Sequence, residues 1–207
     1  MKEVDILYDG NILHLEKNKK IVYCVIFSLL TGVSSNFKIY IPGLVVPITL
    51  QTMIVLLSGV YLGRFYGGLS QLFYILLGIS GLPLFATQYS GLANLAGPTG
   101  GYLIGFVFAS FLVGNFIDNY PDISFKKLIL IFGAANFFII HLLGLLQLSL
   151  WYRLNMNLDL NIIEILKMGS IPFIPGDIIK IFFAILLAIP VIKKRYNLTK
   201  VNKSSTK

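Results

Sequence analysis

The sequence predicts an all-α integral membrane protein, a bundle of six transmembrane helices with both termini in the cytoplasm. Three observations carry this. Of 207 residues, 56% are hydrophobic and 13% charged, and the mean hydropathy is +0.80. Ordinary soluble domains are only about 45–50% apolar, so a water-soluble chain of this length could not hide its apolar surface. The apolar residues also gather into about six stretches, and Lys and Arg fall mostly on one side of them, as cytoplasmic loops require. Disorder, collagen and disulfide-stapled classes are excluded by the same composition. The single cysteine, Cys24, allows no internal disulfide and leaves the redox compartment open.

Residues 1–20 are polar, with Glu3, Asp5, Asp9 and Glu16 among lysines, and read as a cytoplasmic tail. The membrane domain is expected over 21–192, followed by a basic cytoplasmic tail at 193–207. The first span, 21–37, follows Lys19-Lys20 and raises the question of a secretory signal. Val33-Ser34-Ser35 is a weak cleavage site and further spans follow, so an uncleaved helix is preferred. The remaining spans are 47–62, 67–80, 102–117, 128–151 and 178–192. Several fall short of the ~20 residues a crossing needs, but apolar flanks such as Val45-Val46 extend them. Two connections, 81–99 and 152–175, are long and rich in polar, Gly and Pro residues, and long loops often carry function.

With the N-terminus inside, the inner side holds the tails, Arg64, Lys126 and Lys127, while the outer side keeps Lys38, Arg153 and Lys167, with Lys180 near the mouth of the last helix. The net charge of +8 raises the question of nucleic acid, and placement answers it. Lys17, Lys19, Lys20 and the run from Lys193 flank the apolar region, where anionic lipid headgroups lie. The partner expected is membrane lipid, with a solvated flank that has no specific partner as the alternative, and no nucleic acid.

Small residues recur at helical spacing: Cys24, Ser28 and Gly32 on the first helix, Gly101, Gly105 and Ala109 on the fourth. Each set lets another helix approach closely. For the fourth helix the expected contact is within the chain; for the first, an outside partner is left open. No internal repeat is seen, which weakens an inverted-repeat transporter reading.

Chemistry for an enzyme is missing. No G-x-x-x-x-G-K-[ST] loop occurs, and Gly97-Pro98-Thr99-Gly100-Gly101 lacks its lysine and preceding strand. There is no H-E-x-x-H pair and no G-x-S-x-G elbow; no metal, cofactor or catalytic residue is expected. His141 stands alone on the fifth span and reads as a hydrogen bond to a neighbouring helix. Ionisable groups within a membrane are costly and mark function by default. Asp177 and Lys180 are such a pair, following the turn Pro172-Phe173-Ile174-Pro175-Gly176. Asp177 could serve as a helix cap, whereas Lys180 in a first turn is opposed by the helix dipole. Their i,i+3 spacing puts both on one face, leaving a joint binding role and a private ion pair open. Asn94, in a loop of small residues, and Thr49, Gln51 and Thr52 are further candidates, with local turn bonding as the alternative.

Four ordered blocks carry a resemblance: Val46-Pro47-Ile48-Thr49-Leu50-Gln51-Thr52, Gly81-Leu82-Pro83-Leu84-Phe85-Ala86, Gly97-Pro98-Thr99-Gly100-Gly101-Tyr102 and Ile174-Pro175-Gly176-Asp177-Ile178-Ile179-Lys180. Together they resemble the successive signatures of the BioY family, the biotin-specific S components of energy-coupling-factor (ECF) transporters. The resemblance implies a six-helix substrate-capture subunit in a prokaryotic plasma membrane. It implies biotin held near the outer face by Asp177 and Lys180, with Asn94 matching a third binding residue. The partners implied are a transmembrane coupling protein and two ABC-type ATPases. The first helix lacks the family's Ala-x-x-x-Ala contact for the coupling protein, and Ser28 and Gly32 stand in its place as the expected partner interface. The alternatives are a self-sufficient secondary transporter, which would carry acids in several spans, an S component for another vitamin, and a membrane-embedded enzyme.

Overall fold

The computed structural model describes residues 17–87, 91–120 and 122–205, so most of the expected N-terminal tail lies outside the described residues. Helix α1 (Lys17–Ser34) starts ahead of the expected boundary at residue 21. Its two faces are those of a membrane helix. Cys24, Ser28 and Thr31 are buried, while Val22, Ile26, Leu29, Leu30 and Val33 are exposed. Small and polar residues turn inward because, without water, contact and hydrogen bonding hold membrane helices together.

After α1 the chain runs through two short strands, β1 (Lys38–Ile39) and β2 (Ile48–Thr49), paired antiparallel with Lys38 opposite Thr49. It then enters α2 (Gln51–Ile79), which is broken at Gly63 (φ 77°, ψ −178°). The break reverses the chain. Gln71 Nε2 donates to Ser58 Oγ at 3.0 Å, and Gln51 Nε2 donates to the Tyr74 hydroxyl at 2.7 Å. In a continuous helix Gln51 and Tyr74 would lie about 35 Å apart at 1.5 Å per residue. The segments 51–62 and 64–79 are therefore an antiparallel helical hairpin, and the expected spans 47–62 and 67–80 are its two arms. Only glycine suits the turn: φ is positive, and a Cβ at Gly63 would meet the Asp118 carboxylate at 2.8 Å.

A short helix, α3 (Leu92–Ala96), lies within the expected loop 81–99. Helix α4 (Gly100–Asn119) packs along the hairpin and against the following helix. Its small-residue stripe makes the expected contact within the chain, since Cβ atoms at Gly101 and Gly105 would strike the backbone of Leu143 and Ile140. The expected fifth span is a longer continuous helix in three parts, α5 (Phe125–Gly133), a π-helical segment (Ala134–Ile140) and α6 (His141–Met156). Ser124 caps its start through the Lys127 N–H, and Asn157 ends it in the left-handed conformation. The expected loop 152–175 contains a further helix, α7 (Ile162–Gly169), closed by a capping box of Asn161 and Glu164. A 3₁₀ turn (Ile171–Phe173) leads into α8 (Ile174–Ser205). The basic run from Lys193 lies on this helix, so the proposed boundary at residue 193 is not a break in structure.

Four helices among the described residues are long and apolar enough to cross a membrane: Gln51–Ile79, Gly100–Asn119, Phe125–Met156 and Ile162–Asn197. Two polar groups hold the bundle at different heights. In the middle, Ser58 and Ser110 share a hydrogen bond at 2.7 Å, with Gln71 linking Ser58 to Thr31. At the hairpin turn, Asp118 Oδ2 accepts the Arg64 N–H at 2.8 Å and Oδ1 accepts from Arg195 Nη2 at 2.6 Å. Arg195, 6% exposed, also donates to the Val60 carbonyl. Thus α8 is tied to both α4 and the hairpin at this end.

Candidate functional site

At the other end of the bundle, the N-terminal turns of α2, α4 and α8 surround a pocket. Val46, Phe85, Leu103, Phe106 and Phe173 supply apolar wall, and Asn94, Thr99, Asp177 and Lys180 supply polar groups. The pocket is partly open to the outside. The strand pair and the Asn94 loop form its rim. Lys38 Nζ and the Tyr40 hydroxyl donate to the Ala86 carbonyl at 2.8 and 3.1 Å. Gln147 Nε2 donates to the Leu95 and Gly97 carbonyls at 2.6 and 2.9 Å, fastening α3 to α6. The backbone of Gly100 passes so close to Leu95 that a side chain would collide with it.

Asp177 and Lys180 are 2% and 7% exposed. Burial of an uncompensated charge would be prohibitive, and here the compensation is visible. Lys180 Nζ contacts Asp177 Oδ1 at 2.5 Å and donates to the Thr49 carbonyl at 2.9 Å. On the other oxygen, Oδ2 accepts from Asn136 Nδ2 at 2.9 Å and from His141 Nε2 at 2.7 Å. His141 Nδ1 in turn lies 2.7 Å from Ser170 Oγ. The helix-capping reading of Asp177 is corrected. It sits in the first turn of a helix that begins at Ile174, and its hydrogen-bond partners among the described residues are side chains.

Asn94 is buried in the pocket wall. Its Nδ2 donates to Thr87 Oγ1 at 2.5 Å and its Oδ1 accepts from Thr99 Oγ1 at 2.9 Å. Of the remaining candidates, Thr49 contributes its carbonyl, Gln51 turns toward Tyr74 and the Thr31 carbonyl, and Thr52 Oγ1 is buried without a partner among the described residues. Ser28 and Gly32 lie away from this site. Ser28 is fully buried, and a side chain at Gly32 would strike Leu84. The face they occupy is covered by the chain itself, which differs from the outward partner contact expected of them.

Two site residues escaped the sequence reading. His141 does bond a neighbouring helix, as expected, but its partner is Asp177. Asn136 drew no attention, because at 3.6 residues per turn five residues advance about 500°, leaving it about 140° from His141. The π segment removes that offset: its i→i+5 bonding brings both residues to one face. A polar pair spaced by five in an apolar span was the signal available.

Apolar outward faces, buried polar networks between the helices and a buried ion pair in the wall of a pocket define a helical membrane protein that takes up a small molecule at one end of its bundle. The chain belongs to the BioY family, whose model matches residues 10–197. It is 44% identical over 126 residues to a probable biotin transporter BioY of Methanothermobacter thermautotrophicus, covering 60% of this chain and 80% of that one. It is 37% identical over 144 residues to the biotin transporter BioY of Thermotoga maritima, covering 70% and 79%. The fold matches a crystal structure of the S-component for biotin from an ECF-type ABC transporter, with a TM-score of 0.70, 25% identity and coverage of 90% of this chain and 95% of that one. This is a family of transport proteins, not of enzymes.

Proposed function

We propose that this chain is the biotin-capturing S component of an ECF importer. It takes biotin into the pocket at the outer face of a prokaryotic plasma membrane. ATP is hydrolysed by two separate ATPases joined to it through a transmembrane coupling protein. The observation that carries this reading is the buried Asp177–Lys180 contact in the pocket wall of a chain from this family. In this reading the chain crosses the membrane six times, with the two arms of the α2 hairpin as the second and third crossings and both termini cytoplasmic.

Asp177, Lys180 and Asn94 are the proposed binding residues. A carboxylate has about four acceptor sites and an ammonium three donors. After the contacts described above, Asp177 Oδ1 keeps one acceptor site and Lys180 one N–H without a partner among the described residues. These adjacent groups match a ureido N–H and its neighbouring oxygen, while the apolar wall suits the fused ring. The carboxylate tail of biotin then points toward water. The direct test is to purify the chain from membranes and identify the accompanying small molecule by mass spectrometry. Biotin is expected; a different vitamin, or no retention of added biotin, overturns the assignment.

A further inference from the structure

Asp177 makes two hydrogen bonds that substrate contact does not require. Its Oδ2 is occupied by Asn136 and His141, while Oδ1 contacts Lys180. Resting on the reading of this pocket as a biotin site, we propose that His141 and Asn136 are positioning residues. They fix the rotation of the Asp177 carboxylate and so determine which oxygen meets the substrate.

The terminal torsion of an aspartate is broad and two-fold, so burial alone does not choose between its oxygens. Two donors on one oxygen do, because they exhaust its lone pairs and leave Oδ1 to Lys180 and the ligand. The His141 ring is itself held from both sides, with Ser170 at Nδ1 and Asp177 at Nε2. The rings of Phe137, Phe173 and Tyr102 stand edge-on around it, with centroids 5.2, 6.0 and 6.3 Å away. That apolar collar leaves little room for water to replace a lost donor. Asn136 is fully buried, and its Oδ1 has no partner among the described residues. An amide kept for packing alone would gain nothing from a bare acceptor; its donor end is what the site uses. The π segment presents both donors together, and such segments recur at functional sites.

The test compares biotin binding by the full-length wild type with His141→Leu, Asn136→Leu and His141→Gln. Each leucine variant is expected to weaken binding at least about tenfold, the range of one lost bond to a charged group. His141→Gln is expected to recover most of the affinity, because its amide N–H reaches the place of Nε2. A packing role predicts the opposite order, since leucine is the better apolar filler. A second measurement reads the ring directly in a site that still carries Asn136, His141 and Asp177. With His14→Gln, His141 is the only histidine, and ¹⁵N NMR of the solubilised chain should show a proton on Nε2 whose resonance moves in Asp177→Asn. Unchanged binding in both leucine variants, or an unprotonated Nε2, overturns the proposal. If the wild type fails to bind biotin while the Nε2 signature and its dependence on Asp177 hold, the biotin reading falls and the positioning role stands.

Discussion

In the proposed pose, Lys180 is the residue at which the choice of biotin's end is made. Its ammonium lies between Asp177 Oδ1 and the Thr49 carbonyl, and the remaining N–H is a hydrogen-bond donor with a full positive charge behind it. A bond to a charged group contributes about 1.5–3 kcal/mol, and about 1.4 kcal/mol is tenfold in affinity. Lys180→Met should weaken biotin binding by at least about tenfold, and by more where Asp177 is left buried without its cation. The cyclic guanidinium analogue, which places a cation where the ureido oxygen was, should be rejected by the wild type and discriminated far less by Lys180→Met. Capping the carboxylate as an amide should matter little. Titration calorimetry with the three ligands checks this, and strong rejection of the amide with tolerance of the guanidinium reverses the pose. Asp177 and Lys180 were legible in the sequence because charge is rare beside an apolar span. Asn94 was legible only through its place in the loop between two matching blocks and its small neighbours. His141 and Asn136 were not, because their pairing depends on a helical repeat that the α period does not contain.

At the scale of elements, the π segment and the hairpin break make different demands on chain length. A π segment arises where an α-helix absorbs an extra residue. Deleting the exposed Phe138 should return 134–140 to α geometry with residues 136 and 141 four apart, still on one face. Deleting Ile104 from the α-helical α4 should instead rotate every residue on one side of it by about 100° and dislodge the glycine stripe. Retained biotin binding in the first deletion and its loss in the second are expected; equal loss in both would show that the π segment carries information beyond the pairing of Asn136 with His141. The spans at 102–117 and 128–151 were legible as uniform apolar runs. The reversal at Gly63 shows in the sequence only as a gap between two short apolar runs, since Gly63-Arg64 carries no Pro or Asn to announce a turn. Helix α7 was hidden because its capping box and eight residues sit in a segment whose polarity reads as loop.

For the whole molecule, the distribution of basic residues predicts which way the bundle faces. In a Cys24→Ser background, Asp159→Cys and Lys193→Cys, both at exposed positions, should react with an impermeant thiol reagent from opposite sides of the membrane. Labelling from the same side would overturn the six-crossing arrangement. One feature of the bundle also reaches beyond the protein. Helix α4 rises about 30 Å over residues 100–119, whereas the hairpin arms 51–62 and 64–79 rise only about 18 and 24 Å. A typical hydrocarbon core is about 30 Å thick, so in the proposed six-crossing arrangement the hairpin flank is shorter than the lipid beside it. At the break the first N–H groups of the second arm have no helical carbonyl to reach, and the Asp118 carboxylate accepts that of Arg64. Acyl chains next to the hairpin must tilt or shorten to match it, at a fraction of a kcal/mol per Å of mismatch. With the hairpin arms as two crossings, the protein would favour thin bilayers, and a lengthening of the surrounding fatty acids would press on the hairpin flank before it disturbed any other part of the bundle.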